Sequence, residues 1–553
     1  MTQTPPAGQT FYDVVTSNAP AAPGSSQSQM NGSRATGPST LHPSQQSVNN
    51  SSNSEHELEK EHEKDHMQEP TGARRKSSAP LDVLAQIRKS DTYHPIHWPA
   101  WKKWVITFVY CLLQVFVTLT STTYVSVEFL IQEKFGGSTQ VITLGQSMFI
   151  VGTAVGPAFL GPLSDIGGRK WVYVASIFLY AILNIGTALA YNLPMLIIFS
   201  FLIGLAGSTA LSNVAGTIAD LFGDSDGAGQ PMALFVLSAN FGPSLGSPIG
   251  EWIGDNPHMG WRWIYYINII IGGAYALVLC FMPETLPRIV ISRAAKGRNS
   301  IGVDQHEIDI ALGSDNLKVL NEIRFVVTMA LKIMLTEPIV IFLALYNGFA
   351  YGLLFLYLDG VFNVFVVNNH LSYIGASLTY LNFCVGVTIT FLFVPFQTYL
   401  YKRDKARHGG QGRPEARFLT SLVTVWLFPV SLLWFAFTSD GTVSYWSPVV
   451  AGAVLGFADP LLWLSMLNYI TDSYPNVAAS AVAAFLIPSF LIAAGLCHAG
   501  VVMFENMSTK WAFATLGFIG LGIVALVYVL FFFGSWLRRA SKLATGGQTQ
   551  LLK

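Results

Sequence analysis

The chain has 553 residues, of which 51% are hydrophobic, 13% aromatic and only 12% charged. This composition leaves too little polar surface for an ordinary soluble protein, so we predict an integral membrane protein. The formal net charge of +0 hides a strong segregation, because the first hundred residues and a few loops hold most of the ionisable groups. The overall charge therefore says little about partners, and nucleic-acid binding is not predicted.

Residues 1–100 are predicted to form a disordered cytoplasmic tail, because they are mostly small or polar and cannot bury enough apolar surface. Within this tail, Arg74 to Ser78 reads Arg-Arg-Lys-Ser-Ser. One interpretation is a solvated, charged segment. The other makes Ser77 a regulatory phosphorylation site, whose phosphate would cancel the basic cluster near anionic lipid. The tail lacks the pattern of a cleavable signal peptide, so the first membrane helix is expected to direct targeting.

Twelve apolar runs follow, each long enough for the ~20 residues that a helix needs to cross the hydrocarbon core. They cover approximately residues 104–127, 139–161, 171–190, 194–219, 231–251, 262–282, 338–358, 372–399, 418–437, 447–469, 478–503 and 510–534. The predicted domains are a cytoplasmic tail (1–100), an N-terminal six-helix bundle (101–283), a cytoplasmic central loop with an amphipathic helix near 317–335 (284–337), a C-terminal six-helix bundle (338–535) and a second cytoplasmic tail (536–553).

Basic residues in the short loops predict the orientation of these spans. With the N-terminus inside, the internal loops hold fifteen Lys or Arg residues, whereas the external loops hold only Lys134, Arg262 and Lys510. Both termini are therefore predicted to be cytoplasmic. A chain with two six-helix halves is expected to bind its substrate between them near the membrane midplane and to work by alternating access.

Each of the four cysteines, Cys111, Cys280, Cys384 and Cys497, falls inside an apolar run, where a thiol behaves as a small hydrophobe. Their spacing suits neither a disulfide framework nor a metal site, so no metal and no cofactor are predicted. No loop offers a nucleophile, a base and an orienting acid together, so an enzyme is not predicted either.

A short polar turn separates the second and third spans, with the sequence Gly-Pro-Leu-Ser-Asp-Ile-Gly-Gly-Arg-Lys from Gly161 to Lys170. Its glycines permit a tight turn, Asp165 can accept hydrogen bonds at a helix N-terminus, and the two basic residues suit a cytoplasmic interface. The simpler interpretation is a generic glycine turn with basic residues on the inner side.

The fifth span carries small residues and two prolines from Ser238 to Gly250. Small residues four apart let helices approach closely, and membrane prolines are tolerated where the helix is buried in protein. By itself this pattern predicts a packing helix. The residues that carry it are Gly242, Pro243, Gly246, Pro248 and Gly250.

The turn at Gly161–Lys170 resembles the Gly-x-Leu-x-Asp-x-x-Gly-Arg-Lys pattern of the major facilitator superfamily, and the fifth span resembles the Gly-Pro-x-x-Gly pattern of its antiporter branches. From about residue 91 to residue 535 the chain is similar to the fungal twelve-span drug:proton antiporter-like group. The further matches are His94 to Pro99, Asp220 to Phe222, Trp261 to Trp263, Pro283 to Thr285, Arg413 to Arg417 and Asn468 to Tyr474.

The resemblance implies an all-α membrane protein that exports a small organic molecule in exchange for protons. It also implies a conformational latch between spans two and eleven, formed by Gly161, Asp165, Gly168, Arg169 and Lys170. The preferred cargo is a fungal secondary metabolite or an organic acid such as itaconate, and the expected setting is a monomer crossing the lipid bilayer of the plasma membrane. Open alternatives are multidrug or azole efflux, facilitative nutrient uptake, a vacuolar location, and a sensor that does not transport.

The sequence departs from this group in two places. Ser200 stands where an arginine is usual in span four, and no arginine follows the Ala-Ala pair in span eleven, which continues with Phe485 to Phe490. Proton coupling then needs another buried ionisable group. The candidates are Asp459, in the middle of span ten, and His498, in span eleven. A structural carboxyl at a proline break and a packing histidine are the alternatives. Glu128 and Asp359 lie near external helix ends, where solvated side chains are expected.

Polar residues inside the apolar spans either hold helices together or face a substrate. An aromatic cluster in span seven suits a pocket for a partly apolar molecule, although aromatic residues also anchor helices in lipid. The predicted cavity residues are Gln114, Asn213, Asn240, Tyr346, Asn347, Tyr351 and Asn468.

Overall fold

The computed structural model describes residues 94–223, 229–296, 316–409, 412–474, 477–541 and 543–544. The first tail, including Ser77, lies outside these residues, as do parts of the central loop. The helices before the central loop are α1 (Ala100–Thr123), α2 (Glu128–Phe135), α3 (Thr139–Gly167), α4 (Arg169–Ala188), α5 (Leu193–Gly207), α6 (Thr209–Phe222), α7 (Gly229–Gly254) and α8 (Arg262–Phe281).

The central loop contributes α9 (Pro287–Lys296) and α10 (Asn316–Thr336). The helices after it are α11 (Pro338–Phe362), α12 (Tyr373–Thr379), α13 (Leu381–Arg407), α14 (Ser421–Thr424), α15 (Leu427–Thr438), α16 (Trp446–Ser473), α17 (Ala478–Asn506) and α18 (Thr509–Ala540). We call α1–α8 the amino half and α11–α18 the carboxyl half.

Eleven helical segments of the described residues are long and apolar enough to cross a membrane. Five of them are interrupted helices, which combine α1 with α2, α5 with α6, α11 with the π-helical turn Asn363–Asn368, α12 with α13, and α14 with α15. The remaining predicted span, the fifth in chain order, is α7, which has the required length, but glycine, serine, asparagine and proline lower its hydropathy. Because α7 is packed between α1 and α13, it needs less apolar surface than a helix that faces lipid. The predicted all-α architecture with two six-helix halves is confirmed.

The two halves meet along two helix pairs, α3 with α17 and α7 with α13. We call the end of the bundle that carries Gly161–Lys170 the motif end, and the opposite end, where α3 begins and α17 ends, the far end. At the motif end, a Cβ added to Gly229 would lie 3.2 Å from Thr398 Oγ1. The ring of Phe235, on α7, lies 6.0 Å from that of Trp463, on α16.

The amphipathic helix predicted in the central loop is present as α10. Its residues Ala330 and Ile333 are buried, whereas Leu331 and Leu335 are exposed. Because α10 contacts both α3 and α17, it joins the two halves at the motif end.

Candidate functional site

The turn between α3 and α4 requires glycine at position 168 for two reasons. Gly168 has φ +101°, in the region that residues with a side chain rarely adopt. A Cβ there would also lie 2.6 Å from Oε2 of Glu284. The glycine thus lets a carboxylate approach the first residues of α4.

Arg169 is buried, with 8% of its surface exposed, and it lies between acidic side chains of this end. Its Nε lies 2.9 Å from Oδ2 of Asp220, at the end of α6, and its second guanidinium nitrogen lies 2.5 Å from Oδ1 of Asp165. The same nitrogen donates to Ser164 Oγ at 2.8 Å. A buried arginine is stabilised only when its charge and donors are matched in this way.

Glu284 completes this cluster, although sequence reasoning gave it no role. Its carboxylate accepts the backbone N–H groups of Arg169 at 2.9 Å and Lys170 at 3.3 Å, and also those of Thr285 and Leu286 at 3.0 Å each. Because Gly168 provides no side-chain cap for α4, Glu284 takes the place of one. Two signals in the sequence pointed toward it: helix α4 begins with Arg and Lys after Gly, without a capping side chain, and Glu284 lies in the family match at Pro283 to Thr285.

The contacts that the structure describes for Asp165, Arg169 and Glu284 all join elements of the amino half. Helices α3 and α17 do pack against each other. A latch between spans two and eleven, made by the side chains of the predicted motif, stays a prediction.

The carboxyl half carries a related set of ion pairs at the same end. Arg417 Nε lies 2.7 Å from Oδ2 of Asp472, at the end of α16, and its guanidinium lies 3.8 Å from the centre of the Tyr401 ring. Arg538 pairs with Glu415 at 2.8 Å. Arg413 also pairs with Asp404, at 2.5 Å.

The glycines of the fifth span pack α7 against α1. A Cβ on Gly242 would lie 2.5 Å from the Val115 carbonyl oxygen, and one on Gly246 would lie 2.4 Å from that of Leu119. Thr122 of α1 donates to the carbonyl of Pro243 at 2.8 Å. Gly250 also faces α1, and Pro248 lies within the same helix. The described contacts therefore give this motif a packing role inside the amino half.

A small cavity lies where α1, α3 and the break between α5 and α6 face α11 and α17. In this conformation it is nearly closed, with room for about one water molecule, so it is too narrow for a metabolite. Its lining is Gln114, Val117, Thr118, Ser121, Phe149, Ile150, Thr153, Gly207, Ser208, Leu211, Tyr351 and Phe490. We call it the central cavity.

Gln114 is the residue of the central cavity that most clearly lacks a partner. It is fully buried, and neither its amide oxygen nor its amide nitrogen has a hydrogen-bond partner among the described residues. The ring of Tyr351 meets that of Phe490 edge to face at 4.8 Å on the opposite wall. The cavity thus combines a free amide, hydroxyl groups and aromatic rings.

The other predicted cavity residues do not line this space. Asn240 donates to the Val236 carbonyl of its own helix, and Asn213 accepts from Ser212 Oγ. Tyr346 and Asn347 are buried in α11 outside the lining. Asn468 lines a separate, small pocket at the motif end, beside Gln397 and Arg417.

The structure places Asp459 on the inner face of α16. It lies one turn before Trp463, whose ring packs against Phe235 of the amino half. Its carboxylate is only partly buried and has no hydrogen bond or ion pair with a described residue. Asp459 therefore has no described structural partner at the proline break.

His498 joins the two halves at the far end. One ring nitrogen lies 2.9 Å from Gln140 Oε1 and the other 2.9 Å from Ser147 Oγ, both on α3. Gln140 Nε2 also donates to the His498 carbonyl at 3.1 Å. The imidazole is thus held on both sides, in an interface between halves.

Two helical bundles long and apolar enough to cross a membrane, with a small cavity between them, are typical of secondary transporters. The sequence pattern of the Major Facilitator Superfamily matches residues 110–496, which is most of the chain. The chain belongs to this superfamily. It is a multi-pass membrane transporter of small molecules, as its relatives are also named, and not an enzyme.

Several fungal transporters are similar along most of their length. An uncharacterised transporter of Schizosaccharomyces pombe is 50% identical over 89% of this chain and 90% of its own length. A vitamin B6 transporter of the same organism is 44% identical over 85% of this chain and 88% of its own. A transporter of the ascochitine biosynthesis cluster of Didymella fabae is 30% identical over 82% of this chain and 87% of its own.

Solved structures show the same fold. The proton:xylose symporter XylE, bound to 6-bromo-6-deoxy-D-glucose, superposes with a TM-score of 0.56 at 15% identity, covering 79% of this chain and 96% of that one. At this identity the likeness concerns the fold alone.

Proposed function

We propose that this transporter carries a small, uncharged ring compound with several hydroxyl groups, of the vitamin B6 type, by antiport or symport with protons. The observation that carries the proposal is the buried Gln114 amide without a partner in the central cavity. An amide donates and accepts at once, which suits a hydroxylated substrate. The lining holds no Lys, Arg, Asp, Glu or His, so a charged group would find no counter-ion there.

The relatives support this substrate class. The vitamin B6 transporter, at 44% identity, is much more similar to this chain than the biosynthesis-cluster transporter, at 30%. Vitamin B6 is a substituted pyridine with hydroxyl groups, so its ring could stack between the aromatic side chains Phe149, Tyr351 and Phe490.

Export of a fungal secondary metabolite or organic acid is the second candidate. It is supported by the glycine and proline pattern of α7 and by the 30% identical cluster transporter. The uncharged wall of the central cavity argues against an anion such as itaconate, and it leaves neutral metabolites open. The direction of net flux separates the two candidates.

The proposed setting is the plasma membrane, with the motif end and both termini in the cytoplasm and the far end outside. The segregation of basic residues supports this orientation, because the motif-end turns carry Arg169, Lys170, Arg413 and Arg417. The domain limits predicted from the sequence and a monomeric state in the bilayer belong to the same proposal.

The substrate proposal is tested by flux of labelled pyridoxine into liposomes that contain the purified protein. Gln114→Leu should raise KM by about tenfold or more, because the hydroxylated substrate loses its amide partner inside a dry cavity. The matched control is Gln146→Leu, at a buried glutamine of α3 that lies outside the cavity lining. Wild-type KM in Gln114→Leu, or no pyridoxine flux above empty liposomes, would overturn the proposal.

Proton coupling is tested in the same liposomes by imposing a pH gradient. Asp459→Asn should remove the response of flux to the gradient while leaving flux in exchange mode, because the amide cannot take up and release a proton. Asp255→Asn, at an exposed far-end carboxyl, is the control and should keep the response. A gradient response that persists in Asp459→Asn would exclude this residue as the carrier.

A further inference from the structure

A small pocket at the motif end lies between the two halves, where the start of α7 faces α13 and α16. A Cβ added to Gly229 of α7 would lie 3.2 Å from the Thr398 hydroxyl oxygen of α13. The pocket has room for a few water molecules, and none of its residues lines the central cavity. We call it the motif-end pocket. Its polar side chains are Gln397, Thr398, Tyr401, Arg417 and Asn468.

Arg417 is held in the wall of this pocket with most of its donors unused. Its side chain is 12% exposed, its Nε pairs with Oδ2 of Asp472 at 2.7 Å, and its guanidinium carbon lies 3.8 Å from the centre of the Tyr401 ring. Neither of its two terminal nitrogens hydrogen-bonds to a described residue. A guanidinium has five N–H donors, so the four on these nitrogens are available to a ligand. A fixed guanidinium of this kind suits a planar, bidentate bond to an oxyanion.

Further donors border the same pocket. The side-chain amide of Asn468 and the hydroxyl of Thr398 form no hydrogen bond with a described residue. Helix α7, 26 residues long, begins at Gly229 in the pocket wall, and its first backbone N–H groups have no partner within the helix. The motif-end pocket therefore presents a surplus of donors, which favours a ligand with several negatively charged acceptor oxygens.

Gln397 adds one buried acceptor. It is 8% exposed, and its Oε1 has no hydrogen-bond partner among the described residues. Its Nε2 donates to Ser465 Oγ at 2.8 Å and to the Arg417 carbonyl at 3.4 Å. Ser465 Oγ itself donates to the Leu461 carbonyl, so it accepts from Gln397. These partners fix the orientation of the amide, and its unpaired oxygen requires a donor from the ligand.

The chain segment that joins two residues of the pocket wall, Tyr401 and Arg417, is strongly basic. Residues 402–417 hold six Lys or Arg and two acidic residues. A surplus of positive charge raises the local concentration of anions.

We propose that the motif-end pocket binds a phosphate group that retains a proton, and that the bound phosphate holds the motif end closed. Arg417, Asn468 and Thr398 donate to the phosphate oxygens, and the P–OH group donates to Oε1 of Gln397. Inorganic phosphate keeps a proton at neutral pH and sulfate does not, so sulfate leaves Gln397 unpaired. Because the pocket wall includes α7 of one half and α13 and α16 of the other, the ligand stabilises the conformation in which these helices are packed together.

The inference goes beyond the proposed function and does not depend on the identity of the transported substrate. Binding is therefore measured without substrate, by isothermal titration of the purified protein in detergent at pH 7 and constant ionic strength. The titrants are inorganic phosphate, sulfate and glycerol 3-phosphate. Phosphate should bind about tenfold or more tightly than sulfate, because only phosphate satisfies the buried Gln397 oxygen. Tighter binding of glycerol 3-phosphate than of free phosphate would support the site and assign a phosphate monoester as its occupant.

Two variants test the wall of the pocket. Arg417→Gln should weaken phosphate binding about tenfold or more, because the guanidinium fork is lost. Gln397→Leu should remove most of the preference for phosphate over sulfate, which a merely structural role would not change. The matched control is Arg413→Gln, which removes the same charge from the same segment outside the pocket, at a side chain that is 45% exposed and pairs with Asp404. It should bind phosphate as the wild type does.

Equal weakening in Arg413→Gln and Arg417→Gln would show that the basic segment as a whole attracts phosphate, and it would overturn the site. Absence of binding, or wild-type binding without preference for phosphate over sulfate, would overturn it as well. If Arg417→Gln does not fold, Gln397→Leu decides. In liposomes, phosphate should slow pyridoxine flux in the wild type but not in Arg417→Gln. Phosphate binding without any pyridoxine flux would keep the site and reject the proposed substrate, whereas flux that ignores bound phosphate would reject closure of the motif end.

Discussion

The two halves pair their charged side chains at the motif end in different ways. The amino half concentrates its charge on Arg169, which two aspartates surround, while Glu284 caps the same helix start. The carboxyl half divides its charge between Arg417, paired with Asp472, and Arg538, paired with Glu415. One arginine therefore joins several elements in the first half, whereas separate pairs join them in the second.

This difference has consequences for how each half tolerates change. The Arg169 and Asp220 side chains are only 9% and 10% exposed, so loss of one leaves the other as an unmatched buried charge. Asp472 is 23% exposed and can be solvated if Arg417 is lost. The carboxyl half can therefore yield locally around Arg417, whereas its Arg538–Glu415 pair, with side chains 11% and 8% exposed, is as buried as the Arg169–Asp220 pair.

The largest expected effect is that of Arg169→Ala compared with Arg417→Ala. Arg169→Ala should cost about 3 to 5 kcal/mol, because it leaves the buried Asp220 without its cation. Arg417→Ala should cost roughly 1 to 2 kcal/mol, since Asp472 can turn to water. The melting temperature of the purified protein in detergent, measured by loss of the monodisperse peak, should therefore fall further for Arg169→Ala.

Lys170→Ala serves as the control, because this neighbouring side chain is only partly buried and lies over the Trp171 ring at 5.4 Å. It should melt close to the wild-type temperature. Equal losses for Arg169→Ala and Arg417→Ala would show that the second half is as tightly built as the first. The proposed difference between the Arg169 and Arg417 sites would then be wrong.

Much of the fold could be predicted from the sequence because its signals are local. Apolar runs of sufficient length indicated the membrane helices. The turn predicted over Gly161–Lys170 is confined to Gly168, because α3 continues to Gly167 and α4 begins at Arg169. Helix α7 was predicted as one of the apolar runs, and its small residues indicated close packing against another helix.

The candidate site was less predictable, because its groups come together from distant parts of the chain. Glu284 caps α4 from 115 residues beyond Arg169. Gln114 and Asn240 look alike in the sequence, yet only Gln114 lines the central cavity, while Asn240 is satisfied by its own helix. Similarly, the position of Asp359 near a helix end did not reveal that α17 covers it.

A smaller loss of stability is expected in the carboxyl half where a neutral tyrosine hydroxyl donates a hydrogen bond to a buried carboxylate. Tyr474, after α16, donates to Oε2 of Glu337 at 3.0 Å, and both residues are buried. Burial raises the pKa of Tyr474, so its hydroxyl remains a donor. Tyr474→Phe removes one partner of a carboxylate that stays buried, and it should cost about 1.5 to 3 kcal/mol, less than Arg169→Ala. The same melting measurement in detergent checks this order.

Tyr173→Phe is the matched change in the amino half, because the hydrogen bond that the structure describes for the Tyr173 hydroxyl is to the neutral hydroxyl of Thr217, at 3.3 Å. Its cost should be about 1 kcal/mol or less, since no charged partner is left behind. The expected order of melting temperatures is therefore Tyr173→Phe above Tyr474→Phe above Arg169→Ala. If Tyr474→Phe lowers the melting temperature as much as Arg169→Ala does, the stability of the carboxyl half depends on Glu337 as strongly as that of the amino half depends on Arg169.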